Sequence, residues 1–295
     1  VFFSSIIIYS LALDASYTII VIIGVLMGKI GLGIVTCNRE DFFKQCYKSV
    51  PNNKVDVLVA VNDGDKLKGK YPKAHLIEHE KNMSVGVSKN DAFKYLIEND
   101  CEHIFLIEDD IIIKNPAVFA QYIKAADETG LLHLMYGYHG NANKVNYESG
   151  GKPNPRVVIE YKNDVKIALN ANCVGAFCYY HKSLLDEIGL MDEAYVNAWE
   201  HIDHSYSAVK KDLLPGYWWW PDIANSYDFL DEQACCQDIE NGAIRKDPEW
   251  EQKMLKGAKH FYSKYNAFPT KVEPPSQEEV LAALKRISET KGVNS

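Results

Sequence analysis

The chain has no Cys-x-x-Cys pair, no basic run longer than two residues, no internal repeat and no low-complexity tract. Each absence excludes something. Its seven cysteines (Cys37, Cys46, Cys101, Cys173, Cys178, Cys235 and Cys236) are odd in number and lack the short spacings of a zinc ribbon or a disulfide framework. A reducing, cytoplasmic setting follows as the expectation. A net charge of −8 without basic clusters argues against nucleic acid as a partner, which leaves small molecules.

What is present is the composition of a globular protein: 295 residues, 47% hydrophobic and 24% charged, enough for one large core. Residues 1–26 are strongly apolar, but Asp14 interrupts them and no basic residue precedes Lys29. They read as a membrane anchor or as a non-native extension ahead of a functional chain opening at Met27. The second reading is preferred, because a charge near the middle of so short a segment weakens a spanning helix. With the anchor reading, membrane association would come through residues 1–26 alone.

From Ile30 the pattern alternates. Apolar runs at Ile30–Thr36, Val55–Val61, Ala74–Ile77 and His103–Ile107 read as strands, and amphipathic stretches at Glu40–Val50 and Ser88–Glu98 read as helices. Asn38, with Asp41 three residues on, has the form of a helix cap. Strands that are nearly continuous apolar runs, alternating with helices, imply a mostly parallel sheet covered on both faces. The region between Gly137 and Lys166 is rich in Gly, Asn and Pro and reads as a long loop beside the ligand edge. Further helices are expected at Ser183–Ile188, Trp199–Lys211 and Pro248–Tyr265, with a last one capped by Ser276 and Glu279.

In such sheets ligands gather where the strands end. There stand Thr36-Cys37-Asn38-Arg39, Asn62-Asp63-Gly64-Asp65 and the triplet Glu108-Asp109-Asp110. Adjacent carboxylates at the end of a buried strand repel one another and are costly to desolvate, so a positive partner is required. A divalent cation, Mn²⁺ or Mg²⁺, shared with a substrate diphosphate would supply it. An acidic triplet by itself more often marks a solvated loop; its place after HIFLI favours the ion.

The segments IGLGIVTCNRE, VDVLVAVNDGD, GVSKNDAFKYL, HIFLIEDD and LLDEIGLMDEAYVNAWEHID, in this order and spacing, resemble family-2-like glycosyltransferases of the GT-A fold over about Ile30 to Ser226. The resemblance implies an α/β, Rossmann-like architecture with a mixed, mostly parallel sheet. Residues 27–232 would form the catalytic domain and residues 233–295 a C-terminal helical tail. It implies a nucleotide-sugar donor, a UDP-sugar first, and a glycan or other hydroxyl acceptor, as in polysaccharide biosynthesis. The transferred sugar would be a hexose or an N-acetylhexosamine, the latter because EDD is similar to the N-acetylglucosaminyltransferase form of the DXD motif.

Matched residue by residue, the resemblance makes Asp110 the metal ligand and sets Glu108 and Asp109 against ribose and donor sugar. Thr36 and Asp63 would lie against the base, Arg39 close to the nucleotide, and Lys89 and Asn90 toward the donor. Asp63 has an equal reading as a turn residue, since Asn-Asp-Gly is a turn signal. Inverting transfer needs a carboxylate to deprotonate the acceptor hydroxyl. The family's Glu-Asp pair falls here on Glu200-His201, so His201 stands where the usual Asp would be. Helical spacing groups Glu200, Asp203 and His204 on one face and turns His201 away, which makes Glu200 the base, with Asp203 the runner-up and His201 a third candidate.

Other residues have two readings each. His260 is either a late metal ligand or a surface residue, Trp218–Trp220 a sugar platform or core, and Arg245 a diphosphate contact or a surface ion pair. Two rival functions share the nucleotide pocket: a sugar-1-phosphate nucleotidyltransferase and a non-catalytic nucleotide-sugar binder whose base was lost at His201. The first lacks its glycine-rich loop with a basic residue near the opening strand. Gly31 and Gly33 lie within that strand and form no dinucleotide fingerprint.

Overall fold

A computed structural model describes residues 28–146, 151–237 and 247–291. The expectations for residues 1–26 and for Arg245 lie outside the described residues. The elements, in order, are β1 (Lys29–Thr36), α1 (Glu40–Ser49), β2 (Val57–Asn62), β3 (His75–Glu78), α2 (Val85–Glu98), β4 (Cys101–Glu108) and β5 (Ile111–Ile113). After α3 (Val118–Thr129) come β6 (His133–Met135), β7 (Lys144–Val145), β8 (Lys152–Pro153), β9 (Val157–Glu160), β10 (Lys166–Asn170) and β11 (Phe177–His181). The chain continues through α4 (Lys182–Ile188), α5 (Glu200–Lys210), β12 (Trp220–Ile223), β13 (Leu230–Glu232), α6 (Trp250–Tyr265) and α7 (Gln277–Lys291).

The main sheet has the order β3-β2-β1-β4-β11-β6. Strands β3, β2, β1 and β4 run parallel, and β11 lies antiparallel between β4 and β6. Leu32, Ile34, Val59, Ala60, Val61 and Ile104–Ile107 are almost entirely buried, as strands covered on both faces require. On one face Phe105 meets Phe119 and Tyr122 of α3; on the other Phe93 of α2 meets Tyr180 and His204. A second sheet, β12-β10-β9, is antiparallel throughout.

The glycines of β1 serve packing. A methyl at Gly33 would come 2.8 Å from the Cβ of Ala92 and the Cδ2 of Leu106, so α2 sits directly on the strand there.

Three local expectations change. Asn38 does not cap α1: its φ is +55° and its Oδ1 accepts from the Asp65 amide at 2.6 Å, joining the ends of β1 and β2 instead. α2 begins at Val85, a turn ahead of Ser88. The expected loop from Gly137 to Lys166 contains β9, whose alternating half-buried residues pair along β10. The cap at Ser276 is as expected, with Ser276 and Glu279 bonded reciprocally.

The C-terminal helices bury Phe261, Val280 and Leu284 against the rest of the chain. The Trp218–Trp220 segment faces this tail: Trp218 and Trp219 donate to the carbonyls of Val272 and Pro275, and Trp220 is fully buried. Trp219 and Trp220 are core, and the partly buried Trp218 packs against it. Among the described residues no helix is long and apolar enough to cross a membrane.

Candidate active site

The ends of β1, β2 and β4 converge as the parallel register dictates, with Thr36 beside Asn62 and Val35 beside Glu108. Here the acidic triplet meets two cations supplied by the chain itself. Arg39 forms a short ion pair with Asp109 and lies 3.4 Å from Asp110 Oδ2. Thr36 Oγ1 donates to Asp109 Oδ2 at 2.6 Å. Lys89, 1% exposed, pairs with Glu108 at 2.7 Å and donates to the Gly175 carbonyl. Burial pulls the lysine's pKa down, but Glu108 and Glu200 outweigh it and hold the ammonium above its ordinary value. The positive charge demanded by Glu108 and Asp109 is thus internal.

Asp110 is different. Its Oδ1 is buried without a hydrogen-bond partner among the described residues. Burial, with Glu108 adding, holds its carboxyl above the usual carboxylate range against the pull of His139 and Arg39. Cys235 and Cys236 bring their sulfurs within 4.8 Å of the Asp110 carboxylate, and His139, Glu232 and Cys236 form a second group of the same size. Pairing of β13 with β5 brings Glu232 beside Ile111 and the strand's end to the triplet. Sequence reasoning missed His139, Glu232 and both thiols. Their one signal was His139 within the polar GYHGN segment, because Glu232 and the thiols reach the site only through the β5–β13 ribbon.

Glu200 opens α5 and is 4% exposed. Its Oε1 accepts from His201 Nδ1 at 2.9 Å. Burial alone would raise the carboxyl's pKa; His201 and then Lys89 more than offset it and take it down to about 2. The helical-face reading is therefore corrected. Glu200 and His201 work as a pair on the side of Lys89, whereas Asp203 accepts from Tyr195 and is bridged to Lys264 of α6 at 2.7 Å. His204 turns to the Gly189 carbonyl. At the first turn of a helix, adjacent residues can meet through bent side chains where an interior i, i+4 rule would separate them.

Two further residues hold loops. Asp63 Oδ1 and Oδ2 accept from the amides of Met83 and Ser84, and Oδ1 also contacts His79 at 2.6 Å. Asn90 bonds Met191 through both its amide groups and also reaches Glu193, so it staples the α4–α5 connection. His260 is bound to Asp192 at 2.9 Å, apart from Asp110.

No family model matches this chain, and no curated protein sequence is similar to it. Solved structures are similar. A mannosyltransferase from Pyrobaculum calidifontis, in complex with GDP-Man and Mn²⁺, has a TM-score of 0.50 at 12% identity, covering 90% of this chain and 70% of that one. TarS of S. aureus gives 0.48 at 15% identity, covering 80% of this chain and 43% of TarS, and GalNAc-T7 with UDP, GalNAc and Mn²⁺ gives 0.46 at 13%, covering 61% and 40%. The chain therefore spans under half the length of the last two. Likeness at these identities concerns fold: the chain has the mixed, mostly parallel α/β fold of GT-A glycosyltransferases.

Proposed function

We propose that the chain is a metal-dependent inverting glycosyltransferase that moves a sugar from a nucleotide sugar, a UDP-sugar first among donors, to a hydroxyl of a saccharide or other acceptor. The observation that carries this reading is the join between Glu108 and Glu200. One buried lysine, Lys89, holds the strand-end triplet and the α5 carboxylate in a single charge cluster. Residues 27–232 carry the catalytic domain and residues 233–295 the tail that buttresses it.

The Oδ1 of Asp110, buried without a hydrogen-bond partner among the described residues, fits a hard divalent cation, Mn²⁺ or Mg²⁺. When bound, such an ion neutralises the diphosphate of the leaving nucleotide. The chain's own part follows from its geometry. Arg39 and Thr36 hold Asp109 rigid at the donor side. Glu200, kept ionised by His201 and Lys89, takes the acceptor hydroxyl's proton as that oxygen attacks the anomeric carbon from the face opposite the nucleotide. Asp63 and Asn90 act indirectly, by fixing the loops at Met83 and Met191 that border the site. The donor sugar is a hexose or N-acetylhexosamine.

The test is hydrolysis of UDP-sugars with Mn²⁺, which needs donor activation and no acceptor. A thermal-shift screen of nucleotide sugars with and without Mn²⁺ runs beside it, since a ligand at 100 times its Kd stabilises by about 2.7 kcal/mol. Metal-independent binding of every donor, with no hydrolysis, would overturn the reading in favour of a non-catalytic binder.

A further inference from the structure

Strand β13 ends at Glu232, and the next residue, Gln233, fastens the chain to the acidic triplet. Its backbone amide donates to the Asp110 carbonyl at 2.8 Å, and its Nε2 donates to the carbonyls of Asp109 and Phe42 at 2.6 and 2.9 Å. A 3₁₀ turn, Ala234–Gln237, follows directly, with the Cys236 amide bonded back to the Gln233 carbonyl. Two adjacent thiols are thereby carried to the Asp110 carboxylate by bonds that do not involve sulfur.

Their grouping is that of ligands. One carboxylate oxygen of Asp110 and the sulfurs of Cys235 and Cys236 all lie within 4.8 Å of one another. Donors around a single tetrahedral ion stand about 3–4 Å apart, so the three atoms need to close only slightly. Asp110 is 7% exposed, and its Oδ1 is buried with no hydrogen-bond partner among the described residues, a cost that a bound cation would remove. Arg39 is paired with Asp109; it reaches the other oxygen of Asp110, Oδ2, at 3.4 Å and Cys235 Sγ at 3.9 Å. Cys236 is buried and Cys235 half-buried, which leaves an approach from solvent. The neighbouring group of His139, Glu232 and Cys236 is the poorer site, because Glu232 already holds Lys144 at 2.7 Å and accepts from the Gly140 amide. It leaves His139, with a ring nitrogen within 4.8 Å of the Cys236 sulfur, as a fourth donor within reach.

We propose that Cys235 and Cys236 are ligands of the ion that Asp110 holds, so that the site takes a thiophilic divalent cation, Zn²⁺ ahead of Mn²⁺ and Mn²⁺ ahead of Mg²⁺. A carboxylate alone suits hard ions; two sulfurs beside one oxygen reverse that order. The thiols bind as thiolates and give up their protons to solvent as the ion enters. The inference rests on Asp110 as the metal ligand of the proposed transferase, and thiol ligation is read out separately from donor binding.

The experiment is titration of the full chain, reduced and stripped of metal, with Co²⁺. Thiolate ligands give a sulfur-to-cobalt charge-transfer band in the near ultraviolet, which carboxylate and imidazole ligands do not. One equivalent of Co²⁺ should produce the band, stoichiometric Zn²⁺ should abolish it, Mn²⁺ should need an excess on the order of a hundredfold, and Mg²⁺ should fail to displace it. Cys235→Ser and Cys236→Ser should each weaken Zn²⁺ binding by about tenfold or more, and the double variant should lose the band with its far-ultraviolet circular dichroism unchanged. No band at Co²⁺ saturation, a band that survives in the folded double variant, or Mg²⁺ displacing Co²⁺ as readily as Zn²⁺ does would overturn the proposal. Should the double variant fail to fold, Asp110→Asn takes its place: the same Co²⁺ affinity as the parent chain would overturn the proposal, and a loss of about tenfold or more supports it. Metal-dependent UDP binding without a thiolate band would sink thiol ligation and leave the transferase reading standing. A thiolate band without metal-dependent UDP binding would sink the transferase reading and leave the metal site.

Discussion

Lys89 Nζ lies 2.7 Å from Glu108 Oε1 and within the field of Glu200, so one buried ammonium serves carboxylates from β4 and α5. Among the described residues neither carboxylate has a second lysine. Lys89→Met should therefore lower unfolding stability by about 1–3 kcal/mol, because Glu108, a quarter exposed, loses its ion-pair partner while Glu200 keeps His201. Urea denaturation measures it; a loss below 1 kcal/mol would mean the cluster is better hydrated than its burial implies.

Asp110→Asn should abolish Mn²⁺-dependent nucleotide-sugar binding while the fold persists, since its Oδ1 makes no hydrogen bond among the described residues and Arg39, 3.4 Å from its Oδ2, keeps Asp109. Titration of UDP with and without Mn²⁺ on the variant decides it. Unchanged metal-dependent affinity would refute the metal assignment.

Glu200→Gln should lower transfer by about 10² to 10⁴ with donor affinity nearly constant, as expected of a base acting on the chemical step. His201→Ala should do less. Asp203→Asn should act through stability, because its carboxylate is locked between Tyr195 and Lys264. If His201→Ala proves the most damaging at saturating donor and Glu200→Gln mild, the imidazole is the base.

Several carboxyls are held below their ordinary range, Glu108 and Glu232 among them, and Glu200 and Asp192 the furthest. Glu200 is held at about 2, with burial opposing and His201 and Lys89 prevailing; Asp192 is held at about 2, with burial opposing and His260 foremost among its bonds. A folded-state value below the unfolded one means that stability is whole above the ordinary carboxyl range, and is lost as pH falls through it toward 2. Tm measured from pH 6 to pH 2.5 should fall mainly below about 4.5, and less steeply in Glu200→Gln. An equal slope in the variant would show that Glu200 is not depressed.

Gly33→Ala should destabilise by about 1–3 kcal/mol, because the added methyl meets Ala92 Cβ at 2.8 Å and neither backbone can yield freely. A variant as stable as the parent would show that α2 can lift from β1.

Much was legible in the sequence. Nearly continuous apolar runs such as Val55–Val61 and His103–Ile107 identified parallel strands, because burial on both faces leaves little polar alternation, and polar clusters after them located the ligand edge. The triplet's need for positive charge was also readable, since it follows from electrostatics alone. Which charges answer it was not. Arg39 is 70 residues from Asp109 in the chain and Lys89 is 19 from Glu108, and only the register of β1 with β4 and the seating of α2 on both bring them together. Likewise helical spacing grouped Glu200 with Asp203, but the first turn of α5 lies between α2 and α6, and Lys89 and Lys264 draw the two carboxylates to opposite sides. Sequence sets which residues are buried and charged; pairing over long separations depends on packing, and that belongs to the tertiary structure.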